Sequence, residues 1–294
     1  LQIFLDRGNT VDWFSDISIR WTFVVFIIGF GLFIYRGLKH GDNVINFKLF
    51  HNRNFSLGCF TLAIFCGAIF SLFTLQPLLM ETLMNYPTNL SGLIMAPRGL
   101  ASAVAMAIVP LLAKRVDLRH LVASGIFCCA LGTYWMTEIN LQISAGQFID
   151  FSLLQGFGMG LFFVPLSSLT MATLKGEEYG EASGLFSFWR SMGVSIGISL
   201  ITTLLTRQSQ VHWNSLGQSI SVFNPNLTRW LASQHTSLSN PKTVGQLAHL
   251  LGQQAQMLSF LNCFRISALV LVALLPLVFL LDKPSPAVKL PGGH

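Results

Sequence analysis

Residues 154–197 read LQGFGMGLFFVPLSSLTMATLKGEEYGEASGLFSFWRSMGVSIG. The run opens apolar around Gly156, Gly158 and Gly160, reaches Pro165, and leaves through Ser and Thr. A short charged loop from Lys175 to Glu181 follows. A second small-residue run then climbs away, with Arg190 inside it and Gly193 and Gly197 beyond. Two membrane helices joined by a tight polar turn fit this pattern. Gly156/Gly160 and Gly193/Gly197 are each spaced i, i+4, so each helix has one face that a neighbouring backbone can approach closely. Pro165 removes one ladder hydrogen bond and is expected to bend its helix. Arg190 is a charge within an apolar run. Such a charge costs about 2.5–3.5 kcal/mol at helix centre on insertion scales, which makes it a functional candidate by default.

The rest of the chain has the same character. Hydrophobic residues make up 52% and charged residues only 10%, where a soluble domain carries roughly 25% charged. The mean hydropathy is +0.60. The class is all-α, integral membrane and polytopic. A net charge of +6 does not imply nucleic acid as a partner, because the basic residues sit in short loops between apolar runs. Cys59, Cys66, Cys128, Cys129 and Cys263 all fall inside apolar runs with no CxxC pair or metal spacing, and read as small buried hydrophobes. No Ser/His/Asp, HExxH or Walker pattern is present. Gly156 to Gly160 is not a nucleotide loop, since no strand precedes it and the third Gly is misplaced. The expectation is therefore no enzyme, no cofactor and no metal.

Apolar stretches of the ~20 residues needed to cross the hydrocarbon core predict seven spans, at about 17–38, 55–81, 89–113, 120–137, 146–173, 181–206 and 257–281. Residues 1–5 are apolar but too short to span, and look like the last turn of a helix whose beginning is missing. Residues 40–53 alternate apolar and basic side chains, which suits a segment lying on the inner membrane surface. Residues 207–256 form the one long polar segment. Asn224-Pro225 and Asn240-Pro241 read as helix starts, giving short helices at about 225–233 and 241–255 in a small outer cap, with a mobile loop as the alternative. Arg36, Lys39, Lys48, Arg53, Lys114, Arg115, Arg119, Lys175, Lys283 and Lys289 crowd one side in short loops and the tail, so that side reads as cytoplasmic, together with the C-terminus. The domain reading is 1–53 for the truncated helix, outer loop, linker span and amphipathic segment, 54–281 for a six-helix bundle, and 282–294 for a cytoplasmic tail.

Within the spans, Arg98 follows Pro97 about 15 Å deep at 1.5 Å per residue. It either lines a cavity, or pairs structurally with a backbone carbonyl or another half of the protein. Arg190 either lines the cavity or locks an inner gate. Phe70, Phe73 and Gln76 share one side of the second span. Phe162, Phe186 and Trp189 lie on the fifth and sixth. These side chains either line a cavity for lipophilic aromatic cations or face lipid. No carboxylate is placed as a buried proton carrier. Asp150 lies near an outer end, Glu81 and Glu138 sit at helix ends, and Glu177, Glu178 and Glu181 lie in a loop.

Several motifs together carry a family resemblance. Phe163-Val164-Pro165-Leu166-Ser167, Glu181-Ala182-Ser183-Gly184 and Arg190 ahead of Gly193 and Gly197 resemble the matching helices of EmrB-type multidrug exporters, in the fourteen-span drug:proton antiporter family of the major facilitator superfamily. Leu5-Asp6-Arg7-Gly8, Asp12-Trp13-Phe14, Asn52-Arg53-Asn54-Phe55 and Phe223-Asn224-Pro225-Asn226 resemble further motifs of that family. Lys114 to Leu121 is similar to a degenerate copy of the superfamily's inner-loop signature, with Arg115 and Arg119 kept. The resemblance implies the C-terminal half of a major facilitator-like bundle, with the second, third, fifth and sixth spans facing the cavity. The activity implied is export of lipophilic drugs or toxic compounds by proton antiport, with alternating access between two rocking bundles. The proton-exchanging carboxylate would lie in the missing N-terminal half. Other partners implied are the bilayer of a bacterial inner membrane, a periplasmic membrane-fusion adaptor and an outer-membrane channel. A non-transporting membrane scaffold or receptor subunit is the rival reading, and a channel is disfavoured by the lack of a filter segment or a ring of like charges.

Overall fold

The computed structural model describes residues 17–39, 47–174, 176–218, 227–229 and 240–282. Among them there are seven helices of 18 residues or more and no strand. They are α1 (Ile17–Lys39), α2 (Arg53–Thr82), α3 (Thr88–Leu112), α4 (Leu118–Trp135), α5 (Ala145–Met171), α6 (Tyr179–Gln218) and α7 (Pro241–Phe279). The LDRG and DWF loop, the FNPN loop, residues 40–46 of the amphipathic segment and the tail from 283 lie outside the described residues.

Local sequence explains where the helices begin. Asn52 caps α2, its side chain accepting from the backbone N–H groups of Asn54 and Phe55. Ser144 and Gln147 form a reciprocal capping box at the start of α5, which satisfies two otherwise orphaned donors. Asn240 caps α7 by accepting from the Lys242 N–H, with Pro241 as the first helical residue, where its missing N–H costs nothing. The α2–α3 turn passes through Asn85 at φ 55°, a left-handed conformation that Asn tolerates better than most residues.

The connections between α2 and α7 reverse direction each time. Arg53, Leu112, Leu118, Met171, Tyr179 and Phe279 therefore share one end of the bundle, here the proximal end. Thr82, Thr88, Trp135 and Ala145 share the other, the distal end. Helices α3, α5, α2 and α6 pack in that order as one layer, and α4 and α7 back it, α4 against α5 and α7, and α7 against α2 and α6. The largest core cluster runs along α2, where Phe65, Leu72 and Leu75 meet Phe162 and Leu166 of α5, Ile126 of α4 and Phe264 of α7. Phe65 and Phe162 stack with ring centroids 3.5 Å apart. Outward faces stay apolar, with Leu93, Leu100 and Leu111 on α3, Phe127 on α4 and Leu269 on α7 exposed, the pattern of helices whose solvent is hydrocarbon.

Three expectations change. First, α6 and α7 do not stop near 206 and begin near 257. They run for 40 and 39 residues, and the predicted helix at 241–255 is the first part of α7 rather than a separate cap element. No proline interrupts either extension, and Gln-rich stretches such as Gln253-Gln254-Ala255-Gln256 are good helix formers. Of the predicted 225–233 helix, only 227–229 are described, and they are helical. Second, residues 47–51 form a 3-10 turn whose Leu49 is buried with Phe55, Cys59, Ala182 and Leu185, so this part of the amphipathic segment packs into the bundle. Third, five of the seven helices, α2, α3, α5, α6 and α7, are long and apolar enough to cross a membrane by length and composition. Of α1, the described apolar stretch is the shorter Ile17–Gly29. α4 is 18 residues long and opens on Arg119 and His120, which lowers its hydropathy.

Candidate functional site

Glycine sets how close the layer's helices come. A Cβ added at Gly160 on α5 would meet Ser102 O of α3 at 2.6 Å and collide with the Ala105 side chain, and one at Gly156 would collide with the Arg98 backbone. At the other end of the layer, Gly193 and Gly197 of α6 lie against the backbone of Ala63 and Gly67 on α2. Gly158, on another face of α5, lies against Gly125 of α4, where an added Cβ would sit 2.6 Å from Gly125 O. Pro165 is buried within α5, and the helix continues through it to Met171.

These close contacts leave a cavity of about 730 Å³ on the open side of the layer. Phe70 comes from α2, Ser102 and Met106 from α3, Met159 and Phe163 from α5, and Arg190, Ser191, Val194 and Ser195 from α6. All four helices of the layer contribute. Arg190 is solvent-exposed here and makes no hydrogen bond or ion pair with any described residue.

A buried polar cluster continues the cavity's stripes toward the distal end. Arg98 precedes Ser102 and Met106 at four-residue steps on α3. Gln155 precedes Met159 and Phe163 in the same way on α5, and Phe73 and Gln76 follow Phe70 on α2, so each set shares a helix face. Arg98 and Gln155 both lie ten residues inside their helices, about 15 Å deep. The Arg98 guanidinium donates through Nη2 to Gln76 Oε1 and, at 3.2 Å, to Gln155 Oε1. Gln76 Nε2 donates to the same Gln155 oxygen at 3.0 Å. Gln155 Nε2 donates to Thr133 Oγ1 of α4 at 3.2 Å, and Met136 Sδ lies 3.0 Å from Gln76 Nε2. Phe73 presents its ring face to Arg98 with the guanidinium carbon 4.0 Å from the centroid, a cation–π contact. Arg98 is 8% exposed, Gln76 1% and Gln155 0%. Neutral amides and a ring thus hold the cation, with no carboxylate among its partners, and its Nε is buried without a hydrogen-bond acceptor.

Among the residues singled out from sequence, Arg98, Gln76 and Phe73 meet in this cluster, and Arg190 lines the cavity. Phe162 does not reach the cavity: it is fully buried against Phe65, and the next residue, Phe163, takes the lining position, one helical step of about 100° away. Trp189 also points elsewhere, into an apolar groove of about 350 Å³ between α2, α6 and α7, with its ring edge against Phe50. Gln155 and Thr133 were not singled out, because one amide in a glycine-rich run and one threonine have no spacing signal. No group of three or more metal-ligating side chains occurs among the described residues.

At the proximal end, Asn54 is 1% exposed and joins three helices. It donates to Leu169 O of α5 at 3.1 Å and, beyond α7, accepts from the Asp282 N–H at 2.6 Å. Asn52 exchanges hydrogen bonds with Thr173, its amide donating at 2.9 Å. The N-R-N-F motif is thus both a helix cap and a clasp. Toward the distal end, Asn262 of α7 lies 2.9 Å from His212 Nε2 and donates to Gln208 Oε1 at 3.4 Å, both on α6.

The sequence profile of the Major Facilitator Superfamily matches residues 10–198. The chain belongs to this superfamily. With its apolar helices, that makes it a multi-pass membrane protein of a transporter family rather than an enzyme. It is 30% identical to the multidrug export protein EmrB of Escherichia coli strain K12, over all of this chain and 58% of that protein. It is 26% identical to the fatty acid resistance protein FarB of Neisseria gonorrhoeae, over all of this chain and 58% of that protein. It is 25% identical to multidrug resistance protein 3 of Bacillus subtilis strain 168, over 73% of this chain and 41% of that protein. The chain spans a little over half the length of the first two. In a superfamily chain, the four-helix layer and its cavity are the candidate transport site.

Proposed function

We propose that the protein exports lipophilic compounds by proton antiport and that this chain supplies one wall of the transport path. The observation that carries this reading is the cavity shared by α2, α3, α5 and α6, mixing Phe and Met with Ser and Arg190. Apolar lining with a few polar groups suits lipophilic substrates. The resemblance to multidrug exporters over the whole chain supports the same reading. Arg190 is the substrate-facing charge, and Arg98, Gln76 and Phe73 close the distal end. Gly156, Gly160, Gly193 and Gly197 let helices slide in close contact during alternating access. Residues 54–281 form the moving bundle, 1–53 lead into it, and 282–294 form a cytoplasmic tail. No carboxylate lines the cavity or touches Arg98 among the described residues, so the proton-exchanging group belongs to the part of the full protein that faces this wall.

The basic loops support a cytoplasmic proximal end, and the resemblance to EmrB-type exporters supports a bacterial inner membrane. A periplasmic adaptor and an outer-membrane channel complete the export route by resemblance to EmrB-type exporters. The test is dye efflux from cells expressing the full-length protein. Efflux above that of empty cells, abolished by an uncoupler, is expected. Efflux equal to the empty control would overturn the proposal.

A further inference from the structure

The distal surface is hollow where α4 meets α5. α4 ends at Trp135, a 3-10 turn carries Met136–Glu138, and α5 starts after Ser144. Between them lies a bowl of about 490 Å³, which shares no lining residue with the transport cavity. Trp135, Glu138, Asn140, Gln142 and Gln147 line it, together with Phe151.

The polar groups of the bowl are free to bind. Glu138 is exposed and makes no hydrogen bond or ion pair with any described residue. Asn140 Oδ1 accepts the Gln142 N–H at 3.0 Å, and Gln147 Oε1 accepts the Ser144 N–H at 3.4 Å. These bonds orient the two amides, and neither NH2 group donates to a described residue. No Lys or Arg lines the bowl. One unneutralised carboxylate beside free amide donors is the complement of a zwitterion, with an amine for the carboxylate and a phosphate for the amides.

Depth narrows the choice of zwitterion. Tyr134 and Trp135 are exposed at the last turn of α4, where aromatic side chains mark the edge of the hydrocarbon. Phe127, two turns deeper on the Tyr134 face, is exposed as well. The bowl thus lies at headgroup depth, with an apolar helix face below it for acyl chains. A quaternary ammonium has no N–H for Glu138, and its usual receptor is a cage of several rings. Here the rings are Trp135 and a half-buried Phe151. A phosphatidylglycerol headgroup would bring a negative charge to Glu138 with no cation to receive it.

We propose that the α4–α5 bowl binds phosphatidylethanolamine. Glu138 takes the ammonium, the Trp135 ring packs beside it, and Asn140 and Gln147 donate to the phosphate. The site requires only that the chain spans a membrane, and stands apart from the export reading.

The test is native mass spectrometry of the purified full-length protein, delipidated and then given equal amounts of five lipids. These are dioleoyl phosphatidylethanolamine, its mono- and dimethyl derivatives, phosphatidylcholine and phosphatidylglycerol. The ethanolamine lipid should be retained at least about threefold more than the choline or glycerol lipid. Retention should fall with each added methyl, as N–H donors are lost. Glu138→Gln should remove the preference, and Glu81→Gln, a distal carboxylate outside the bowl, should keep it. Water-soluble phosphoethanolamine at the lipid's concentration should not displace the lipid, because it has no chains for the apolar face. Equal retention of all five lipids, a choline or glycerol preference, or displacement by the soluble headgroup overturns the proposal. So does a preference that survives in monodisperse Glu138→Gln or is lost in Glu81→Gln. If Glu138→Gln does not fold, the methylation series in the wild-type protein still decides.

Discussion

Arg98 and Arg190 are both basic, and their surroundings separate them. Arg98 is wrapped by two glutamines and a ring, so its removal is a structural loss as well as an electrostatic one. Gln155 is the shared acceptor, and Gln155→Leu deprives both Arg98 and Gln76 of a partner. Leaving such buried donors unsatisfied costs about 1–3 kcal/mol. A lowered midpoint in thermal unfolding of the detergent-solubilised protein is the expected reading. Arg190 is exposed to the cavity, so Arg190→Leu should insert and express as well as wild type and abolish export. Arg190→Lys should reduce export, because the planar fork is lost while the charge is kept. Wild-type efflux by the Leu variant would remove Arg190 from the mechanism. Charge in an apolar run made both arginines visible in the sequence. Gln155 and Thr133 were not visible, since their importance lies in partners 57 residues and 22 residues away. The Phe162 and Phe163 pair shows a further limit: hydropathy does not tell which of two adjacent rings turns inward.

At the level of the helices, the i, i+4 glycines were legible because close packing leaves small residues in a row. The structure adds their partners, which no spacing within one helix could name. Gly160→Leu and Gly197→Leu should each lower the yield of monodisperse protein, since a side chain there meets backbone or a neighbouring Cβ. Gly184→Ala, on α6 but with nothing within 4 Å of an added Cβ, should stay within about 0.5 kcal/mol of wild type. Equal yields for all three variants would refute the packing account. The ends of α6 and α7 were not legible, because hydropathy marks where hydrocarbon ends rather than where a helix ends. A polar helix with an extended neighbour to lean on continues into water without any change of backbone. Gly252 beneath the Trp213 ring, 3.1 Å from an added Cβ, and Asn262 beside His212 show that these two helices do lean on each other.

For the whole molecule, alternating apolar runs and short basic loops were sufficient to predict an all-helical bundle, with a long helix among the described residues at each of the seven predicted spans, though not the extensions of α6 and α7. The assignment of sides is tested by single cysteines in a cysteine-free background. Val116→Cys should be protected from an impermeant thiol reagent added to whole cells, and Ser209→Cys should react. The reverse pattern would invert the topology. Asn54 offers a second test at this scale, because it fastens the proximal ends of α2, α5 and α7 together. Asn54→Ala should increase proximal thiol labelling at Thr170→Cys, a position now fully buried.

The lengths of α6 and α7 have a mechanical consequence. At 1.5 Å per residue, each rod measures about 60 Å, twice the thickness of the hydrocarbon layer. Braced against each other, the two are longer than every other described helix and make a stalk at the distal end of the bundle. If the bundle tilts about its midplane by roughly 10°, a point some 35 Å up the stalk sweeps about 6 Å. The stalk is therefore a natural amplifier and pointer. Paired spin labels placed at its tip and on an element outside the bundle would read each swing between access states at its largest amplitude.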